Sequence, residues 1–312
     1  MASKCDLLTA LSPAKETWTI IVKILRMWFL DDTKNPSGLP LSMELLLMDE
    51  QGNKIQASIR KTLIYRFQKE LKEEAVYSIS NFGFASNSGS FRAARHEYKL
   101  SFQYGTRVHS LDHGLITASP FSFVQLHEIA TNYDQDYLAD VIAMCIDYGA
   151  DKPYERNGKP SKLKVIVLES NGCKMECTLF GQYVDQFNKF EASAVCKKFV
   201  VIVQLAKAKT WKGIISLQNA INCTKIIFDP SCIEADELKT KFFQCANASL
   251  QSPSQLYTSR SMSLEDEFLN KTPRKTIVDL KDTTEKIFCV VIGTITAVID
   301  GDSWWYSACS CE

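Results

Sequence analysis

The chain has 312 residues, 46% of them hydrophobic, enough to bury two cores and part of a third. Its 36 Lys and Arg balance 36 Asp and Glu, which argues against a protein held to nucleic acid mainly by bulk positive charge. No apolar run approaches the roughly 18 residues a membrane helix needs, and eleven cysteines scattered from Cys5 to Cys311 do not read as a disulfide framework.

The odd, scattered cysteines make a reducing compartment, cytosol or nucleus, the expectation, and the N-terminus, MASKCDLLTALSPAKETW, carries no long apolar segment and no small-residue cleavage site. From Trp18, TIIVKILRMWF is a β-branched strand pattern, and DDTKNPSGLP a turn-rich loop. A hairpin around Gly52 follows, then a helical stretch near Lys61 to Glu74 and two strands near Val76 to Ala85 and Phe91 to Phe102.

Leu46 to Phe67, LLMDEQGNKIQASIRKTLIYRF, realigns without a gap on Ile166 to Phe187, IVLESNGCKMECTLFGQYVDQF, at a constant offset of 120 residues. An acidic residue (Asp49, Glu169), a turn glycine (Gly52, Gly172), a lysine (Lys54, Lys174) and a closing phenylalanine recur, which predicts two tandem copies of one domain. In the second copy the first strand is Asp140 to Tyr148 and the loop is DKPYERNGKPSK. The hairpin is Leu163 to Phe180, the helix Gln182 to Phe190, and the last strands Lys198 to Leu205 and Gly213 to Leu217. The order β-β-β-α-β-β predicts a mainly β protein, two OB-type five-stranded Greek-key barrels with short helices.

The predicted domains are residues 1–110, a connecting segment 111–137 whose FSFV packs against a barrel, and residues 138–246 closing on a short helix, IEADELKTKFF. A polar, serine-rich linker is expected over 247–285, and residues 286–312 turn strand-like again, as the start of a third unit.

Catalytic chemistry has little to stand on: there are four histidines, no phosphate-binding glycine loop, no HExxH and no nucleophile elbow, so no enzyme and no catalytic residue is predicted. His109, Asp112 and His113 have metal-like spacing but fall in a polar connecting segment.

Strand alternation is more informative. Met175, Cys177 and Leu179 are predicted to point inward, leaving Lys174, Glu176, Thr178 and Phe180 outside. Between Phe91 and Phe102 the outward set is Phe91, Ala93, Arg95, Glu97, Lys99 and Ser101. The loop Lys207 to Gly213, KAKTWKG, sets Trp211 among Lys207, Lys209 and Lys212. Exposed rings beside cations suit single-stranded nucleic acid, whose bases stack on the rings while the cations follow the phosphates. The two repeats are mildly basic, residues 17–110 by a surplus of 4 and residues 136–229 by a surplus of 3.

Trp18-Thr19-Ile20, LLMDEQGNKIQASI and FRAARHEYKLSFQYGTRV resemble the first DNA-binding OB domain of the large subunit of replication protein A, particularly its plant-type versions. DVIAM, CTLFGQYVDQF, LAKAKTWKG and TKIIFDP are similar to the second. The resemblance implies a nuclear protein that binds single-stranded DNA without strong sequence preference, in replication, recombination and repair. It places stacking rings at Phe180 and Trp211 in the second barrel and at Phe91 in the first, where Arg60 stands at the position matching Phe180. Arg60, Arg92, Arg95, Lys99, Lys207, Lys209 and Lys212 are the expected cationic contacts. Residues 286–312 resemble the truncated start of the family's third OB domain, whose zinc ribbon begins with Cys-x2-Cys. Here Cys309 and Cys311 have one residue between them, too few ligands for a structural zinc site, so no cofactor is expected unless that domain were complete. The family's medium and small subunits are implied partners, although their main contacts run through that third domain. The rival readings are an OB-fold protein-interaction module, a paralogue that folds but binds little, and an RNA binder.

Overall fold

The computed structural model describes residues 5–15, 17–31, 38–156, 159–194 and 196–251, together with the single positions 275, 276 and 291. Residues 1–251 form one compact unit. The expected linker from 252 onward and the expected third unit, including Cys309 and Cys311, lie outside the described residues apart from those three positions.

In the first barrel β1 (Thr19–Leu30), β2 (Ser42–Met48) and β3 (Lys54–Arg60) form a meander, followed by α1 (Lys61–Phe67). Next come β4 (Val76–Ser80), β5 (Gly83–Ser86), β6 (Tyr98–Ser101) and β7 (Arg107–Leu111). The sheet order is β5-β6-β3-β2-β1-β4-β7, and the barrel closes through the parallel pairing of β3 with β6. After α2 (Leu126–Asn132) the second barrel repeats the plan with β8 (Leu138–Tyr148), β9 (Lys152–Arg156), β10 (Lys159–Ser170) and β11 (Cys173–Phe180). It ends with α3 (Gln182–Ser193), β12 (Phe199–Trp211), β13 (Ile214–Asn219), β14 (Lys225–Phe228) and α4 (Ile233–Gln251). Here too a parallel pair, β11 with β13, completes the barrel, so the chain is mainly β with two tandem OB folds.

Each barrel has its own core. Ile20, Val22, Ile24, Leu45, Leu47, Ile55, Ala57 and Ile59 fill the first, and Val141, Ala143, Ile166, Leu168, Cys177, Leu179 and Val201 the second. The alternation predicted for β11 is the one found: Met175, Cys177 and Leu179 are buried, while Lys174 and Glu176 are exposed. A third cluster joins the barrels. A bulge in β1 between Ile24 and Arg26 turns Leu25 and Trp28 away from the first core, where they meet Leu46, Met48, Leu138, Leu205 and Cys223. β2 is therefore buried on both faces, which explains its unbroken apolar run LLLM.

Polar ties cross the same junction. Lys54 Nζ lies 3.1 Å from Asp140 Oδ2, the two side chains being 12% and 4% exposed. Asp140 also accepts the backbone N–H of Ser122 (3.1 Å) and Leu205 (3.0 Å), and Arg26 donates to the Cys223 carbonyl (2.9 Å).

Several expectations change. The helix after β3 stops at Phe67 rather than reaching Glu74, and α4 runs on to Gln251, into residues expected to open a linker. DKPYERNGKPSK is not a loop but the β9–β10 hairpin, with Tyr154 opposite Ser161. Phe91 to Phe102 is not one strand, since only Tyr98–Ser101 is strand and Arg92 makes a single bridge to Tyr137; residues 87–97 are a folded loop in which Ala93, expected outside, and Ala94 are both buried. In the connecting segment, Val124 packs on the second core and Phe121 stacks on Phe123 at 5.1 Å.

Candidate nucleic-acid interface

The second barrel presents its expected residues on the sheet β11–β13–β12. Lys207 to Trp211, expected in a loop, belong to strand β12, because only Lys212 (φ 49°) and Gly213 (φ 80°) are needed for the tight left-handed turn, so β12 and β13 extend to the tip of the barrel. Trp211 sits there, paired with Ile214 and 67% exposed, beside the exposed Lys209 and Lys212. Phe180 ends β11 at the opposite end of β13, where its N–H donates to Asn219 Oδ1 at 2.7 Å. Ile214 and Asn219 are five positions apart, which spaces the two rings' backbones by about 17 Å along the strand. Phe180 is half-buried against Tyr154, ring centroids 5.3 Å apart, and lines a groove that also takes in Lys209 and Gln218.

The first barrel differs. Leu100 faces Ala57 as Leu217 faces Cys177, and counting back along the hairpins puts Asn87, not Phe91, at the place of Trp211. Asn87 is buried, its amide donating to the carbonyls of Ala94 (3.0 Å) and His96 (2.8 Å), and so shapes the loop rather than meeting a ligand. Phe91 lies in that longer loop at φ 64°, 41% exposed, with Lys207 Nζ of the second barrel 3.5 Å from its ring centroid. Burial, then the neighbouring Lys209, holds the Lys207 ammonium's pKa below its ordinary value.

Arg92 does not face solvent as a simple phosphate contact. Its guanidinium lies 3.9 Å from the Tyr137 ring centroid and 4.0 and 3.7 Å from the carboxylates of Asp134 and Asp136. Its backbone is stitched to the connecting segment on both sides, Arg92 N–H to the Asp136 carbonyl (2.7 Å) and Leu138 N–H to the Arg92 carbonyl (2.9 Å). Arg95 is exposed, over Tyr137 at 4.4 Å and Tyr133 at 5.5 Å. Arg60 is exposed at the end of β3, at the start of α1, and Lys99 is half-buried on β6. The structure thus gathers Phe91, Arg92, Arg95 and Lys207 at the junction of the barrels, Phe180 and Lys209 along one groove, and Trp211 with Lys212 at a hairpin tip.

Sequence reasoning missed Tyr154, Tyr133 and Tyr137. For Tyr154 a signal existed, because Asn157-Gly158 between two short polar runs is a hairpin dipeptide. The other two gain meaning only from the loop folded onto them. His113 Nδ1 is 3.3 Å from the Glu74 carbonyl oxygen, and among the described residues no three His, Cys, Asp or Glu side chains gather as a metal set.

Two OB barrels in one chain, joined by a shared buried cluster, define a protein of the tandem OB-fold class. Residues 9–132 match the family described as Domain of unknown function DUF223. Along 99% of its length the chain is similar to Replication protein A 70 kDa DNA-binding subunits D and B of Arabidopsis thaliana, at 21% and 22% identity. It is 22% identical over 77% of its length to the mouse subunit. A solved structure of a replication protein A heterotrimer bound to single-stranded DNA covers 88% of this chain and 61% of its own, with a TM-score of 0.54 and 22% identity, which speaks to the fold. The resemblance read from the sequence therefore runs along nearly the whole chain, which spans about half the length of the Arabidopsis relatives (50% and 52%).

Proposed function

We propose that this chain binds single-stranded DNA without strong sequence preference, as a replication protein A large-subunit-like protein acting in the nucleus in replication, recombination and repair. The observation that carries it is Trp211, a large ring two-thirds exposed at the tip of a lysine-bearing hairpin, on the same sheet as the half-buried ring of Phe180. A solvent-facing indole has no packing purpose there, and base stacking gives it one without demanding a particular base. The second barrel supplies Phe180, Trp211, Lys209 and Lys212; Phe91, Arg95, Arg60, Lys99 and Lys207 extend the track across the junction and over the first barrel. Arg92 contributes only where phosphates displace Asp134 and Asp136. Assembly with medium and small subunits completes the proposal.

A salt titration with labelled oligo-dT, oligo-U and a duplex tests it. Expected is binding to both single strands with an affinity that falls linearly with log salt, and much weaker binding to the duplex. Preference for the duplex, or no oligo-dT binding at micromolar protein in about 50 mM salt, would sink it.

A further inference from the structure

The β9–β10 hairpin brings a ring to Phe180 that neither the repeat nor the alternation predicts. Leu163 of β10 pairs with Phe180 on one side and with Lys152 on the other, and Ser161, two residues along, pairs with Tyr154. Phe180, Lys152 and Tyr154 therefore share one face of the sheet. The Tyr154 and Phe180 rings meet at 5.3 Å with an interplanar angle of 62°. Tyr154 keeps 38% of its surface exposed, so the pair is not a core contact. The rings form two walls of an open groove of about 510 Å³ that Ser161, Lys209, Gln218 and Asn222 also line.

The base of the hairpin is tied to the rest of the barrel. Lys162 is ion-paired with Asp185 of α3. Asp151, next to β9, accepts from Asn188 Nδ2 (2.8 Å) and pairs with Lys164 Nζ (3.1 Å), which itself reaches Glu191 (3.7 Å). The hydrogen bond from Asn188 and the pairing with Lys164 hold the Asp151 carboxyl below its ordinary pKa. These ties join the hairpin base to α3, so Tyr154 stands against Phe180 before any ligand arrives.

We propose that Tyr154 and Phe180 form a two-ring cleft that takes one unstacked nucleobase of a single strand, the base lying on Phe180 with its edge against Tyr154. With centroids 5.3 Å apart the rings already touch, so the base lies in the open corner they make rather than between them, and a base still paired in a duplex cannot lie flat there. Lys209, on the groove wall, lies where the backbone phosphate of that nucleotide would pass. This inference deepens the proposed function and rests on it.

The test is binding of labelled oligo-dT at fixed salt by the full chain and by Tyr154→Ala, Tyr154→Leu, Tyr154→Phe, Phe180→Ala, Tyr154→Ala/Phe180→Ala and Trp211→Ala, each checked for an unchanged melting temperature. Tyr154→Ala and Tyr154→Leu should each weaken binding about fivefold or more, the lower end of what one stacked base is worth. Tyr154→Phe should stay within twofold, and the double variant should lose less than the product of the two single losses, as coupled rings do. Three results overturn the cleft: Tyr154→Ala within twofold of the parent while Trp211→Ala weakens binding, Tyr154→Leu binding like the parent, or Tyr154→Phe losing as much as Tyr154→Ala. In each of them the single-strand reading survives. Unchanged affinity in the Phe180 and Trp211 variants as well would remove both.

Discussion

The ammonium of Lys207 lies 3.5 Å from the centroid of the Phe91 ring, so a cation of the second barrel covers a ring of the first. A base stacking on that face of Phe91 must displace the lysine, whereas Trp211 is not covered in this way. Phe91→Ala should therefore cost less oligo-dT affinity than Trp211→Ala, and Lys207→Gln should lower the salt slope by up to about one counterion. Titrations at four or five salt concentrations read both quantities. A Phe91 variant weaker than the Trp211 variant would show the first barrel to be the primary contact.

Replacing both Phe180 and Trp211 by alanine should cost about 2 to 6 kcal/mol of binding, two bases at about 1 to 3 kcal/mol each. Both rings stand outside the buried core, so the melting temperature should hold. Affinity within twofold of the parent would show that the rings do not stack bases.

Arg60 occupies the first-barrel counterpart of Phe180, exposed at the end of its strand. Arg60→Phe should keep or strengthen binding while flattening its salt dependence by up to about one counterion. A strong loss with the fold intact would mean that the guanidinium makes a contact no ring replaces.

Lys54 and Asp140 are not equivalent partners. Removing Lys54 leaves Asp140 with two backbone N–H donors, Ser122 and Leu205, whereas removing Asp140 strands a nearly buried ammonium and both donors. Asp140→Ala should thus cost about 3 to 5 kcal/mol of stability, and Lys54→Met clearly less. Denaturant unfolding of both variants checks the order, and a reversed order would refute this account of the junction.

Burial pushes the thiols of Cys145, Cys177 and Cys223 up to about 12, from an ordinary 9.0. In the folded chain they stay protonated where the unfolded chain already releases protons, so their contribution is intact below pH 9 and stability falls as pH rises from there toward 12. At pH 8 a maleimide should label the exposed Cys196 and spare these three in the native protein. Rapid native labelling of Cys177 would contradict its burial.

The two repeated hairpins and the inward set of β11 were legible because the information is local: a period of two, a turn glycine, and a second copy 120 residues on with the same pattern. The loop at residues 87–97 was not, since Arg92 takes its backbone partners from Asp136 and Leu138, more than forty positions away, and tertiary bonds override the alternation that made Ala93 look exposed. The same holds for the site. Trp211 could be read from its lysines, while the Asp134 and Asp136 carboxylates beside Arg92 could be found only once the chain had folded back.

β2 began as one of two matching strands, and in the first copy both of its faces are now interior. Leu46 and Met48 are buried against the second barrel, whereas Val167 and Glu169, which hold the same ladder places opposite Glu176 and Lys174, are only half-buried and have no such neighbour. The duplicated halves have thereby lost interchangeability: swapping the two hairpins would carry the right barrel core into each place and leave the seam between them without its matching surface.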